Sequence, residues 1–162
     1  MSEIQVRKAV PDDGTEILRL ERELARFENL PGPDAAEGER LLRWIFDEQK
    51  FEALVAESAR SILGVALYFF YPASFRARPG LYLEDLVVDP DARSEGVGEK
   101  LMAAVAREAI RRDCLRMEWA VLPWNEGALR FYRRLGARPQ SEWVRYYLDE
   151  PGIARLAALG GR

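Results

Sequence analysis

The sequence predicts a mixed α/β domain whose antiparallel strands come first and whose parallel pair comes late. Three observations lead there. Phe51 to Ala56 and Ser61 to Tyr71 are apolar runs joined by a short polar turn around Glu57 to Arg60, the pattern of an antiparallel hairpin. Leu81 to Val88 is followed by the turn Arg93-Ser94-Glu95-Gly96-Val97-Gly98, a helical stretch to Ile110 and a further apolar segment, Leu115 to Val121. Strands joined through a crossover helix in this way run parallel. Finally, 162 residues of which 48% are hydrophobic suffice for one domain with a core that needs no metal or disulfide.

The remaining elements follow in order. Ile4 and Val6 alternate with Gln5 and Arg7, the period of a half-buried strand. Pro11-Asp12-Asp13-Gly14 opens a helix in which Ile17, Leu20, Leu24 and Phe27 recur at helical spacing, and Asn29 to Pro33 ends it. A second short helix carries Leu41, Leu42, Trp44 and Phe46, starting after Pro33-Asp34 or after Glu37-Gly38. Pro72 to Gly80 reads as a loop. Asn125 is a good N-cap for a helix that Gly136 stops, with Ala128, Phe131 or Tyr132, and Leu135 turned inward. Trp143 to Leu148 reads as a last strand and Pro151 to Leu159 as a short amphipathic tail. With no repeat or linker composition, residues 1–162 are expected to form a single domain.

Composition excludes several function classes. The chain has no histidine and one cysteine, Cys114, which rules out intrachain disulfides, Cys/His zinc sites and imidazole as a base. Cys114 is expected to be a small buried hydrophobe. A net charge of −3 gives no basic field for nucleic acid. The apolar run Ile62 to Tyr71 is far shorter than the roughly 20 residues of a membrane helix, and Met-Ser-Glu-Ile-Gln lacks a signal pattern. A cytoplasmic protein without membrane or nucleic-acid partners is expected.

Two clusters carry chemistry. The N–H groups around Arg93 to Gly98, at a helix start with two glycines, suit a phosphate, and the Arg93 guanidinium suits the same anion. A plain tight turn would use the same residues. Dinucleotide and P-loop readings fail, because Leu101 stands where a third glycine belongs and no Gly-Lys-Ser/Thr exists. The second cluster is Glu84-Asp85 in an otherwise apolar strand. Strict alternation sends Glu84, with Tyr82, Leu86 and Val88, to one face and Asp85 to the other. At least one carboxylate is then expected to border a polar cavity; pairing of both with Arg116 or Arg145 is the structural alternative.

Arg93-x-x-Gly96-x-Gly98 after an apolar strand, then Trp124-Asn125 and Phe131-Tyr132-Arg133-Arg134-Leu135-Gly136-Ala137, resembles the GNAT superfamily of acetyl-CoA-dependent N-acetyltransferases. Phe69-Phe70-Tyr71, Tyr82-Leu83-Glu84-Asp85-Leu86-Val87-Val88, Trp124-Asn125-Glu126 and the first helix through Phe27-Glu28 are similar to its diamine (spermidine/spermine) branch. The resemblance implies the GNAT fold, a twisted mixed sheet splayed between its central parallel strands and flanked by helices, with acetyl-CoA in the gap and no metal. The pantetheine arm would pair with the backbone of Leu86, Val87 and Val88. The pyrophosphate would sit on Arg93, Ser94, Glu95, Gly96, Val97, Gly98 and Glu99, and Asn125 would contact the arm. Glu95 and Glu99 depart from the family, placing carboxylates where an anion should bind.

Acetyl transfer needs the amine to lose a proton, for which Glu84 is the candidate, directly or through a water; the resemblance implies a backbone N–H at Leu86 or Val87 for the oxyanion and Tyr132 for protonation of the leaving thiolate. Phe27, which replaces a tyrosine, with Glu28, Glu84, Asp85 and Glu142 would hold the acceptor. The implied acceptor is a small diamine or polyamine, or thialysine, ornithine or lysine. Protein N-termini, protein lysines, aminoglycosides and a non-catalytic CoA-binding module are the alternatives. A homodimer with contacts between late strands is also implied.

Overall fold

The computed structural model describes residues 3–59 and 61–159. The chain divides into two compact units, Met1–Ala120 and Val121–Arg162.

In the first unit the elements run β1 (Gln5–Lys8), α1 (Gly14–Phe27), α2 (Ala35–Phe46), β2 (Glu52–Ser58), β3 (Ser61–Ala73), β4 (Arg78–Val88), α3 (Val97–Arg111) and β5 (Met117–Glu118). The strands form one sheet in the order β1-β2-β3-β4-β5. All neighbours are antiparallel except β4 and β5, which are parallel. The order antiparallel first, parallel late is therefore the one the sequence predicts.

Each helix has a local cause. A 3-10 turn at Pro11–Asp13 leads into α1. Asp13, only 7% exposed, accepts from Arg7 Nη1 at 2.7 Å and from the Val10 N–H at 2.8 Å, while Arg7 Nη2 reaches Glu57 at 2.7 Å. One guanidinium thus ties the start of α1 to β1 and β2 and holds the Asp13 carboxyl below its ordinary range. Of the two possible starts for α2 the chain uses the first. Asp34 accepts from the Glu37 N–H at 2.8 Å and the Glu37 carboxylate accepts from the Asp34 N–H at 2.9 Å, a reciprocal box that satisfies two helix-end donors.

The core forms on both faces of the sheet. Val65 and Leu67 of β3 join Ile17, Leu20 and Ile45 of α1 and α2 in one buried cluster. Gly64, one residue from Val65, faces the other way, toward Val97 and Leu101 of α3. A Cβ there would lie 2.7 Å from the Val87 carbonyl oxygen, so only glycine allows β3, β4 and α3 to approach this closely.

Five expectations change. Pro72 to Gly80 is mostly strand: β3 runs to Ala73 and β4 starts at Arg78, with Pro72 opposite Pro79 and Tyr71 opposite Gly80. Gly80 leaves room for the Tyr71 ring, whose Cζ would otherwise sit 2.3 Å from a Cβ. In Leu115 to Val121 only Met117 and Glu118 pair as strand. The turn expected around Glu57 to Arg60 narrows to the link between Ser58 and Ser61, which pair; Arg60 lies outside the described residues.

The fourth change is in the second unit, which holds α4 (Glu126–Arg134) and α5 (Glu150–Ala158). Trp143 to Leu148 is not a strand. Among the described residues of this unit there is no strand for it to pair with, and a single strand cannot satisfy its own backbone. Asn125 caps α4, its side chain accepting from the Ala128 N–H at 3.1 Å, and Gly136 (φ 85°) stops it. Ala128, Phe131 and Tyr132 are half-buried, whereas Leu135 is exposed rather than inward. Asp149 caps α5 by accepting from the Gly152 N–H.

Candidate active site

β4 and β5 pair only at Leu81–Met117 and Tyr82–Glu118. From Leu83 onward no strand among the described residues covers that edge of β4. Leu86, Val87 and Val88, held on their other side by Ala66, Val65 and Gly64 of β3, therefore carry backbone groups along an open edge. An extended chain with amide groups, such as a pantetheine arm, can add there as a strand would.

A β-bulge sits where the strands part. Leu67 faces Asp85 and Tyr68 faces Leu83, so Glu84 is the extra residue with no partner on β3. The simple alternation expected for Glu84 and Asp85 does not hold, because a bulge re-aims the side chain of the inserted residue. Both carboxylates act on one point of α1, the Glu21 carboxyl, and Glu28 acts there too. Arg116 does not pair with either of them; it binds Glu118 at 3.1 Å and the Tyr71 hydroxyl at 3.0 Å.

Glu21 is the central member of this cluster. Its Oε1 is fully buried without a hydrogen-bond donor, yet the side chain lies in hydrogen-bonding reach of Asp85. Two ionised carboxylates offer no donor to each other, so the bond exists only with a proton between them. Burial first, then the repulsion of Asp85, Glu84 and Glu28, pushes the Glu21 carboxyl up to about 9. Asp85 is raised as well, by burial and then by Glu84 and Glu28, while the bond from Glu21 opposes the rise.

Downstream of β4, Gly96 is the N-cap of α3 in a left-handed conformation (φ 83°) and supplies no capping side chain. The first bond of the helix is from the Lys100 N–H to the Gly96 oxygen at 3.0 Å, so the N–H groups of Val97, Gly98 and Glu99 precede it. Space is open around Gly96, with nothing within 4 Å of a Cβ placed there. The turn thus fits an anion. Glu95 and Glu99 are exposed, as are Arg93 and Ser94, so solvent screens the two carboxylates. Arg93 lies over the Phe27 ring at the end of α1.

The structure thus brings Glu28, Glu84 and Asp85 together and places Leu86 to Val88 on an open edge leading to the α3 turn. Asn125, Tyr132 and Glu142 belong to the second unit. There Tyr132 lies on α4 beside Phe131, ring centres 5.3 Å apart, and Glu142 is exposed in the segment after α4. Cys114 is only partly buried, and burial raises its thiol, which keeps it protonated and poorly nucleophilic. Among the described residues no group of His, Cys, Asp and Glu is placed to hold a metal ion.

The model of the acetyltransferase (GNAT) family matches residues 16–137. The chain belongs to this family. It is an N-acetyltransferase, and its family uses acetyl-CoA as donor. The thialysine N-epsilon-acetyltransferase of Bos taurus is 35% identical to it over 97% of this chain and 99% of that protein. The L-ornithine N5-acetyltransferase of Arabidopsis thaliana is 38% identical over 51% of this chain and 36% of its own length. Among solved structures, an integron cassette protein of V. cholerae matches with a TM-score of 0.79 and 25% identity, covering 97% of this acetyltransferase and 98% of that chain.

Sequence reasoning missed Glu21, although its signal was present. Position 21 lies four residues after Ile17 and three before Leu24, on the apolar stripe of α1, where a carboxylate needs an explanation.

Proposed function

We propose that this acetyltransferase moves the acetyl group of acetyl-CoA to a primary amine of a small dibasic acceptor: a diamine or polyamine, or an amino acid such as thialysine, ornithine or lysine. The observation that carries the reading is the gathering of Glu28, Glu84 and Asp85 around one point beside the open edge of β4. Such a cluster favours a cation, and a dibasic amine keeps one ammonium when the other reacts. The names of the relatives from Bos taurus and Arabidopsis thaliana support the acceptor class.

In this reading the thioester arm pairs with Leu86, Val87 and Val88, and the pyrophosphate rests on the turn from Arg93 to Glu99 with Arg93 as counter-charge; Asn125 contacts the arm. An alkylamine titrates near ~10.4, so it must lose a proton before attack. Glu84 takes that proton, directly or through water. The nitrogen then bonds to the thioester carbon while a backbone N–H of Leu86 or Val87 holds the oxyanion. As the C–S bond breaks, the Tyr132 hydroxyl gives its proton to the thiolate, whose conjugate acid lies near ~8.5. Phe27, Glu28 and Asp85 are assigned to hold the acceptor, with Glu142 as a further acidic residue for it. Tyr132 rests on the family likeness of its segment, within the matched residues.

We further read residues 1–162 as one cytoplasmic acetyltransferase domain that works as a homodimer. The family match crosses Ala120, where the two units divide. The dimer is supported by the aromatic segment Trp143 to Leu148, in which Tyr146 is 93% and Tyr147 is 89% exposed. No helix among the described residues is long and apolar enough to cross a membrane.

A thiol-release assay with acetyl-CoA and putrescine, spermidine, thialysine, ornithine and lysine tests the acceptor class. Turnover on one or more supports it. Turnover on none overturns it, and activity confined to a peptide amine would move the acceptor to protein.

A further inference from the structure

We infer that Glu21, hydrogen-bonded to Asp85, is a specificity-determining residue for the acceptor's non-reacting ammonium, and that the pair gives up a shared proton when that ammonium binds. The inference rests on the acceptor reading above and deepens it.

The first ground is the orphaned oxygen. Glu21 Oε1 is fully buried without a donor, while the residue as a whole keeps partial exposure. A buried oxygen without a partner costs stability and persists where something else supplies the missing bond. The second ground is that the cations nearest in sequence are committed elsewhere. Arg19 bonds Glu16 and Asp89, Arg22 reaches the Pro33 carbonyl, and Arg26 pairs with Glu23. The charges acting on Glu21 are those of Asp85 and Glu84 on β4 and of Glu28 just past the end of α1, all carboxylates. The third ground is access, because Glu84 is exposed and opens the cluster to solvent.

The empty pair therefore carries one proton, Glu21 O–H donating to Asp85, with a net charge of −1. An arriving R–NH3+ supplies N–H donors to both carboxyls and makes the shared proton unfavourable. The proton leaves to solvent, and the complex of two carboxylates with one ammonium again has a charge of −1. A monoamine has no second ammonium to displace that proton.

The test compares putrescine with n-butylamine on the intact enzyme with CoA bound. Calorimetry in buffers of different ionisation enthalpy, near pH 7.5, counts the protons released. The wild type is expected to release about one more proton with putrescine than with n-butylamine, a difference that cancels any proton lost by the reacting amine. In Glu21→Gln the excess disappears. Steady-state kinetics on the best acceptor of the panel should show KM raised about 10- to 100-fold with kcat changed far less, the effect expected of one lost charged contact. Glu21→Leu, which cannot accept a hydrogen bond at all, should behave as Glu21→Gln or worse. An unchanged proton count and KM in Glu21→Gln would overturn the inference while panel turnover left the acceptor reading intact. A panel without turnover would overturn that reading first.

Discussion

The Arg93 guanidinium carbon lies 5.7 Å from the centre of the Phe27 ring. It joins the turn assigned to the donor's phosphates to the end of α1, which Glu28 follows. At an exposed site such a contact contributes about 0.5–1 kcal/mol. Phe27→Ala is therefore expected to raise the KM for acetyl-CoA about two- to five-fold at saturating amine, although Phe27 is an acceptor-side residue. Arg93→Ala should raise it further. Initial rates at varied acetyl-CoA decide this, and an unchanged KM in Phe27→Ala would show that the stack has no bearing on the donor.

Glu84 is the bulged residue and the proposed proton acceptor. Glu84→Gln keeps its shape and removes the acceptor, so kcat should fall about 10²-fold near neutrality. The residual rate should climb more steeply with pH than that of the wild type, because each unit brings about ten times more neutral amine until its pKa near ~10.4. A pH–rate profile parallel to the wild type would remove Glu84 from this role.

Tyr132→Phe deletes one hydroxyl on α4. If that hydroxyl protonates the thiolate, kcat falls about 10²-fold while calorimetric binding of acetyl-CoA stays the same. A normal kcat would leave Tyr132 as packing beside Phe131.

Gly64→Ala tests the close approach of β3 to Val87. The new methyl would meet the Val87 oxygen at 2.7 Å and side-chain atoms of Val97 and Leu101 at 3.1 Å, and a backbone carbonyl in a ladder has little freedom to retreat. The cost should be about 1–3 kcal/mol, read as a Tm lowered by about 2–4 °C for each kcal/mol. A Tm equal to the wild type would mean the strands separate freely there.

What the sequence discloses and what it hides divide along physical lines. Apolar runs around Val55, Val65 and Val87 disclose strands because sheet partners are near in the chain, and the crossover from Leu83 to Met117 discloses the parallel pair by handedness and length. Pro72 and Pro79 suggest a loop because proline rules speak of one residue at a time; only the pairing shows that the two face each other. Trp143 to Leu148 has the composition of a strand, but a ladder needs a partner. The glycine turn before α3 is legible because left-handed backbone demands Gly96. The Glu84 bulge is not, since one inserted residue leaves no mark on an apolar run, and alternation alone sends Glu84 and Asp85 to opposite faces. Glu21 was readable from the stripe of Ile17 and Leu24, whereas its bond to Asp85 belongs to the tertiary fold.

The raised carboxyls of Glu21 and Asp85 also set how stability varies with pH. A carboxyl that titrates near ~4.3 when unfolded and at about 9 in the fold binds its proton longer in the folded state. Folding then takes up a proton between those values, and stability falls as pH rises through that window. Asp85, raised to about 6, contributes in the same direction over a narrower range. Glu21→Gln removes the titration and leaves an amide that donates to Asp85 at every pH, which should draw Asp85 back toward its ordinary range. Without acceptor amine, the fall in Tm from pH 5.5 to 8.5 should be smaller in the variant than in the wild type. Adding putrescine should narrow the gap between the two by supplying the wild type with its missing cation. Melting curves of equal slope against pH in the two proteins would mean that the Glu21–Asp85 pair holds no proton in the free enzyme.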